Sequence, residues 1–376
     1  MKRKYFAALL AMGLAGGAYA QSSVTLWGRV GGGVEYMSNI KTGANTSGSK
    51  LAEGSQWGTS IWGMKGTEDL GGGTQAQFWL EGAFASDTGN QGGGKLFQRG
   101  AWVALKNADY GMLRLGQGNT INNYIWRFDP FLLEDYSAST FTNYRNGNKL
   151  ANGIRYESPS FGGFEFGAQL NLGESPDGFR RGPEDSVLSN IGMSYGVTVA
   201  YVQPTWEVRA LYDEVNSNNG RLDNLFIASR ELFLGAKAQI TPRLLAQVGW
   251  AHYTAPDTAP GLSRVANHVW TGLTYDVTPR FHAIGAVYMM KVGKGQWTSD
   301  HDGEGRGTMF SLGGMYDLSK RTFLYATVSY VKNSANANFS VRPTAPGYGD
   351  PVTGNGNSPA AGGSQLGAYA GIMHNF

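Results

Sequence analysis

Seven charged residues stand out by type and placement. Asp129, Glu134 and Asp135 fall within one long connection, and Lys65, Arg99, Arg114 and Arg155 fall in strand-like segments flanking it. Acids on one side of a water-filled gap and bases on the other create a transverse field. Such a field orders water and sorts ions by charge without making or breaking a bond. The competing reading is that these are ordinary solvated charges. Alternation supports an inward aim for Lys65, Arg114 and Arg155, whereas Arg99 is followed by the apolar Ala101, Val103 and Leu105 and its parity is less clear.

Other chemistry-bearing patterns are weaker. Gly192-Met193-Ser194-Tyr195-Gly196 has the G-x-S-x-G spacing of serine hydrolases, but a nucleophile elbow needs a strand entering a helix, and both flanks here continue as strand. Gly89 to Lys95 reads G-x-x-x-x-G-K, yet Leu96 stands where a phosphate loop needs Ser or Thr. Asp300-His301-Asp302-Gly303-Glu304 offers oxygen donors without full EF-hand spacing, so a solvated acidic loop is the simpler reading. The five histidines contain no i, i+4 pair, which leaves a zinc site unsupported. No cofactor is expected.

The elements that must hold these residues are strands. Gln75, Gln77, Trp79 and Glu81 alternate with Ala76, Phe78 and Leu80; Phe164–Asn171 and Trp206–Asp213 repeat the period of two. Three turns share a pattern around Arg243, Arg280 and Arg321, which lie 37 and then 41 residues apart. Each interval holds two strands, one short turn and one longer polar loop. Short turns at one end and long loops at the other predict an all-β, antiparallel, up-and-down transmembrane β-barrel of about 16 strands. From Gln365 to Phe376 the alternation runs to the last residue, so the final strand must be paired, most simply with the first.

One connection breaks the rhythm. Between the strand at 111–117 and the one reached by Ile154 lies a stretch far longer than a hairpin loop, with Tyr124, Ile125, Trp126, Leu132, Leu133 and Phe141 too apolar for an outer loop. It is expected to fold into the lumen as a constriction loop, residues 118–152, burying its apolar side chains and projecting Asp129, Glu134 and Asp135 into the channel. Asp129 followed by Pro130 predicts a short helical turn.

The N-terminus assigns the compartment. Lys2, Arg3 and Lys4 precede an apolar run from Tyr5 to Leu14, and Ala18-Tyr19-Ala20 offers a cleavage site, so residues 1–20 read as a secretory signal peptide and 21–376 as one barrel domain. Cysteine is absent, so the exported chain relies on no disulfides. Without the three leader residues, 28 basic residues face 28 acidic ones, a neutral balance that gives no support to nucleic-acid binding. Glycine is abundant at 56 residues, suiting turns, bulges and curved strands. Trp27, Trp57, Trp62, Trp250, Trp270, Tyr275, Tyr316 and Phe376 lie near strand ends, where membrane-interface girdles sit, though some are expected inside. Lys41, Lys50, Arg180 and Arg181 in outer loops are placed to meet lipopolysaccharide phosphates, although solvated charge is the simpler reading.

Several segments, in order, resemble the Gram-negative general porin family. Ser60-Ile61-Trp62-Gly63-Met64-Lys65-Gly66-Thr67-Glu68-Asp69-Leu70-Gly71-Gly72-Gly73 is similar to its S-R-x-G-x-K/R-G-x-E-D-L-G-G-G signature. Leu96 to Val103 is similar to L-F-x-R-x-A-W-V, and Ile154 to Gly163 to V-R-Y-x-S-P-x-F-G-G. The resemblance implies an outer-membrane porin, a homotrimer of barrels. Each barrel would have a water-filled pore for passive diffusion of ions and small hydrophilic solutes, narrowed by an infolded third loop, and no enzymatic activity. It also implies that Phe376 is read by the barrel-assembly machinery, and that the barrel is surrounded by outer-membrane lipid and lipopolysaccharide. Three family arginines are replaced, by Ile61, Gln117 and Met373, which weakens the expected anion preference. The alternatives are a substrate-specific outer-membrane channel and a barrel-type outer-membrane hydrolase, whose serine would be Ser194.

Overall fold

The computed structural model describes residues 23–43, 46–142, 144–172, 191–296, 303–342 and 357–376. The signal peptide, Arg180, Arg181 and the Asp300–Asp302 end of the acidic loop lie outside these. The regular structure of the described chain is almost entirely strand. Its first half comprises β1 (Ser23–Gly43), β2 (Thr46–Gly54), β3 (Ser60–Gly71), β4 (Thr74–Phe84), β5 (Gly100–Asn107), β6 (Gly111–Asn119), β7 (Lys149–Glu157), β8 (Phe164–Asn171) and β9 (Ile191–Val202). The second half comprises β10 (Trp206–Ser217), β11 (Arg230–Thr241), β12 (Leu244–Thr254), β13 (Val265–Thr278), β14 (Phe281–Val292), β15 (Gly305–Asp317), β16 (Thr322–Asn333) and β17 (Ser364–Asn375).

Every neighbour pairs antiparallel, and β17 returns to β1 with Arg29 opposite Asn375 and Met37 opposite Gly367. The ring has 16 strands, β1 and β3 to β17. The seventeenth, β2, lies outside it. The lower part of β1, from Ser23 to Arg29, pairs with β3, while its upper part pairs with β2 as a hairpin above the ring. Backbone bonds between Gly28 and Phe376, 3.1 and 3.0 Å, complete the seam. Closure leaves the ring no free edge.

Because side chains alternate along paired strands, the register carries one face all the way round. Arg29, Lys65, Trp79, Trp102, Arg114, Arg155, Gln169, Arg209 and Glu231 belong to the inner face. Val103, Leu115, Val199, Leu234, Val248, Phe310, Leu312, Val328 and Ile372 are large apolar residues exposed on the outer one. An apolar band around a polar interior is the pattern a barrel needs in lipid. Trp250, Tyr275, Tyr316 and Phe376 belong to the outer face, whereas Trp27, Trp57 and Trp270 turn inward, with Trp57 and Trp270 buried.

The longest described connection, residues 120–148 between β6 and β7, folds into the lumen and supplies a large share of the molecule's apolar core. Ile121, Ile125, Phe128, Phe131, Leu133, Tyr136 and Phe141 pack with Met37, Phe233, Trp270, Tyr288 and Tyr369 of the wall. Each such side chain contributes about 1.5–3 kcal/mol by burial. Wall glycines provide the sockets. A Cβ on Gly196 would lie 2.5 Å from Ile121, on Gly235 2.7 Å from Phe128, and on Gly272 2.6 Å from Pro130. Trp126 and Leu132 stay about 40% exposed on the loop's other side.

Candidate functional site

The infolded loop opens with a 310 helix, Ile121–Phe128, and continues through shorter 310 turns at Ala138–Thr142 and Arg145–Gly147. The expected turn after Asp129 forms as a single turn, the Leu132 N–H donating to the Asp129 carbonyl at 3.0 Å, and the longest helix ends where that turn begins. Leu132 and Leu133 take left-handed backbone conformations (φ 58° and 59°) that stop a right-handed helix from continuing. Asp129 holds the resulting turn. Its carboxylate accepts from the N–H groups of Phe131 (3.1 Å), Leu133 (3.2 Å) and Ala138 (3.0 Å) and from the Tyr288 hydroxyl (2.6 Å). It is fully buried and does not reach the channel. Burial pushes its carboxyl above the ordinary carboxylate range, against the pull of these four bonds.

Asp135 is also covered. Tyr144 donates to it at 2.5 Å, and Arg342, from the connection after β16, bridges it (3.0 Å) to Glu35 of β1 (2.9 Å). Glu134 is the loop acid that faces the wall. Its Oε1 lies 3.4 Å from Arg29 Nη2, and Arg99 and Lys149 act on it electrostatically as well.

The four predicted bases divide into two pairs. Arg114 and Arg155 are cross-strand neighbours, less than a tenth exposed, and hold the root of the loop. Arg114 donates to the Asn119 carbonyl at 2.8 Å, and Arg155 to those of Asn119 and Thr120 at 3.2 and 3.3 Å. Arg155 also pairs with Glu157 at 2.5 Å, to which Tyr124 donates a second bond. Lys65 and Arg99 are the open pair. Arg99 sits one residue before β5, where the ladder's strict alternation has ended, and its guanidinium turns in to Glu81 at 2.5 Å. The Lys65 ammonium stands over the indoles of Trp79 (5.4 Å) and Trp27 (5.7 Å).

Sequence reasoning missed the anchors along the opposite wall. Arg145 is completely buried, with Nη1 2.8 Å from Asp213 and 2.6 Å from Glu231, and with further bonds to Ser229 Oγ (3.0 Å) and the Ser229 carbonyl (2.8 Å). Burial works against its charge, but Asp213 and Glu231 hold the guanidinium above its ordinary range. Arg127 pairs with Glu207 at 2.6 Å, and Trp270 Nε1 donates to the Phe128 carbonyl at 2.9 Å. Strand parity could have found the wall members, since Asp213 and Glu207 lie on the polar face of an alternating segment. Their loop partners carry no periodicity and gave no comparable signal.

Of the three positions where the resemblance expects arginine, Ile61 and Met373 are on the inner face but buried, at 6% and 1%. Gln117 instead donates to the Gln98 carbonyl at 2.5 Å near the strand end. Ser194 is a strand residue whose hydroxyl donates to Asn171 at 3.3 Å; among the described residues no histidine bonds it.

A closed barrel with an apolar exterior, a polar interior and one long loop folded against the inner wall defines the class: a transmembrane channel. The Gram-negative porin family matches residues 7–336. The chain belongs to that family, and it is an outer-membrane porin for passive diffusion. It is 31% identical to an outer membrane porin protein of Bordetella pertussis, over 89% of this chain and 95% of that protein. Outer membrane porin protein 32 of Delftia acidovorans is 29% identical over the full length of both. Among solved structures, an anion-selective porin from Comamonas acidovorans superposes with a TM-score of 0.74 at 27% identity, covering 95% of this chain and all of that one.

Proposed function

We propose that the pore passes ions and small hydrophilic solutes with a preference for anions, set where Glu134 meets the basic wall. The observation that carries this reading is the imbalance at that point. Arg29 pairs with the Glu134 carboxylate at 3.4 Å, Arg99 acts on it as well, Lys65 adds an exposed ammonium, and Glu81 offsets only part of the excess. Field lines in a narrow polar passage with low-dielectric walls concentrate such a surplus and raise the local anion concentration. Asp129, Asp135, Arg114 and Arg155 serve the selectivity indirectly in this reading, by fixing the loop.

The chain is proposed to act as a homotrimer without catalytic activity. Residues 1–20 are removed on export, Phe376 is read during barrel assembly, and outer-membrane lipid and lipopolysaccharide surround the barrel. The anion preference is tested by the reversal potential under a KCl gradient. The wild type should favour chloride, Arg29→Ala should move the potential toward potassium, and Glu134→Gln should move it further toward chloride. Identical potentials for all three would overturn the assignment.

A further inference from the structure

Three inward-facing indoles, Trp27, Trp79 and Trp102, run side by side along the wall opposite the loop. Trp27 and Trp79 have ring centroids 4.5 Å apart; Trp79 and Trp102 are 6.0 Å apart and parallel within 1°. The wall beneath them is cut to fit. A Cβ on Gly63 would come within 3.2 Å of Trp27, on Gly100 within 2.8 Å of Trp79 and on Gly118 within 3.2 Å of Trp102. Glycine backbone therefore lies against an edge of each ring, Trp79 and Trp102 stack in parallel, and each of the three is only part-buried. An aqueous lumen gains nothing from apolar rings held open in this way, since their exposure to water is unfavourable.

The Lys65 ammonium stands above this strip, exposed, and no carboxylate pairs with it among the described residues. At the strip's far end the Arg114 guanidinium lies 5.7 Å from the Trp102 ring. A free carboxylate beside the strip would have made it suit cations or sugar hydroxyls. Glu81, the nearest candidate, is occupied by Arg99 and by the Trp79 N–H at 2.9 Å.

We propose that Trp27, Trp79, Trp102 and Lys65 form a weak binding strip for aromatic monocarboxylates, the ring stacking on indole and the carboxylate meeting the Lys65 ammonium. Stacking on aromatic faces and a charge-assisted bond act on opposite ends of one flat anion. The proposal rests on the channel reading and narrows it to a solute class that the strip would carry along the wall. Weak affinity suits transport, because a solute must leave as readily as it enters.

The test uses single channels of the full-length protein in planar bilayers in KCl, with benzoate, acetate or benzylammonium added. Benzoate should reduce the KCl current saturably, with at least about fivefold greater potency than acetate or benzylammonium. In Trp79→Leu/Trp102→Leu, block measured relative to that variant's own KCl current should lose this advantage. Lys65→Met should abolish the difference between benzoate and benzylammonium, and Lys65→Arg should restore it. If conducting wild-type channels respond alike to benzoate and acetate, the strip proposal fails while the porin stands. Equal block by benzylammonium would overturn the role of Lys65. Absence of KCl conductance would instead refute the channel reading. Should the variants not insert, the wild-type comparison alone decides.

Discussion

Replacing Arg145 with Met should loosen the infolded loop while leaving the barrel closed. Its guanidinium is fully buried and donates to Asp213, Glu231 and two oxygens of Ser229. The methionine keeps much of the volume but leaves two carboxylates in a desolvated site without their cation. Breaking a buried ion pair by removing one partner costs about 3–5 kcal/mol. At 1.4 kcal/mol per tenfold, the undocked loop population rises by roughly two to three and a half powers of ten. The barrel itself should survive, because its ladder does not pass through Arg145. Single-channel recordings should therefore show the same insertion but strongly increased open-channel noise and frequent excursions to higher conductance. Adding Asp213→Asn and Glu231→Gln should recover most of the quiet wild-type trace, since the stranded charges are then gone. Wild-type noise in Arg145→Met, with an unchanged unfolding midpoint, would refute the view that this network docks the loop.

Three further outcomes follow from the same packing. His268 is buried among Phe141, Trp270 and Tyr288 and neither ring nitrogen is bonded among the described residues, so His268→Phe should stabilise the protein by about 1–3 kcal/mol. A lower urea midpoint in detergent would count against it. Gly235→Val should cost about 1–3 kcal/mol by overpacking, because even the Cβ would sit 2.4 Å from Phe233 and 2.7 Å from Phe128; an unchanged midpoint would contradict the socket reading. Arg342→Ala should leave Glu35 and Asp135 buried without their shared cation and raise the protease sensitivity of the loop around Asp135, and equal cleavage rates would argue otherwise.

The barrel was legible in the sequence because a strand's side chains alternate strictly. Gln75 to Glu81 and Trp206 to Asp213 declared their faces, and the run to Phe376 required a partner, which β1 supplies. The inward aim of Lys65, Arg114 and Arg155 came from the same rule. The apolar excess of Ile125, Leu133 and Phe141 sufficed to send the long connection inside, since no outer loop would bury them.

What the sequence could not determine is which charges remain open to the channel. Asp129, Glu134 and Asp135 are equivalent by type, yet only Glu134 faces the wall; Asp129 is consumed by the loop's own N–H groups and Asp135 by Arg342, about two hundred residues away in the chain. Irregular backbone has no period, so its side-chain directions are set by long-range packing. The glycines divide in the same way. Their number suggested turns and curvature, but the sockets at Gly196, Gly235 and Gly272 exist only once the loop is pressed against the wall. Local periodicity decides which face a strand residue takes, and only tertiary contact decides whether that face meets water, lipid or the loop.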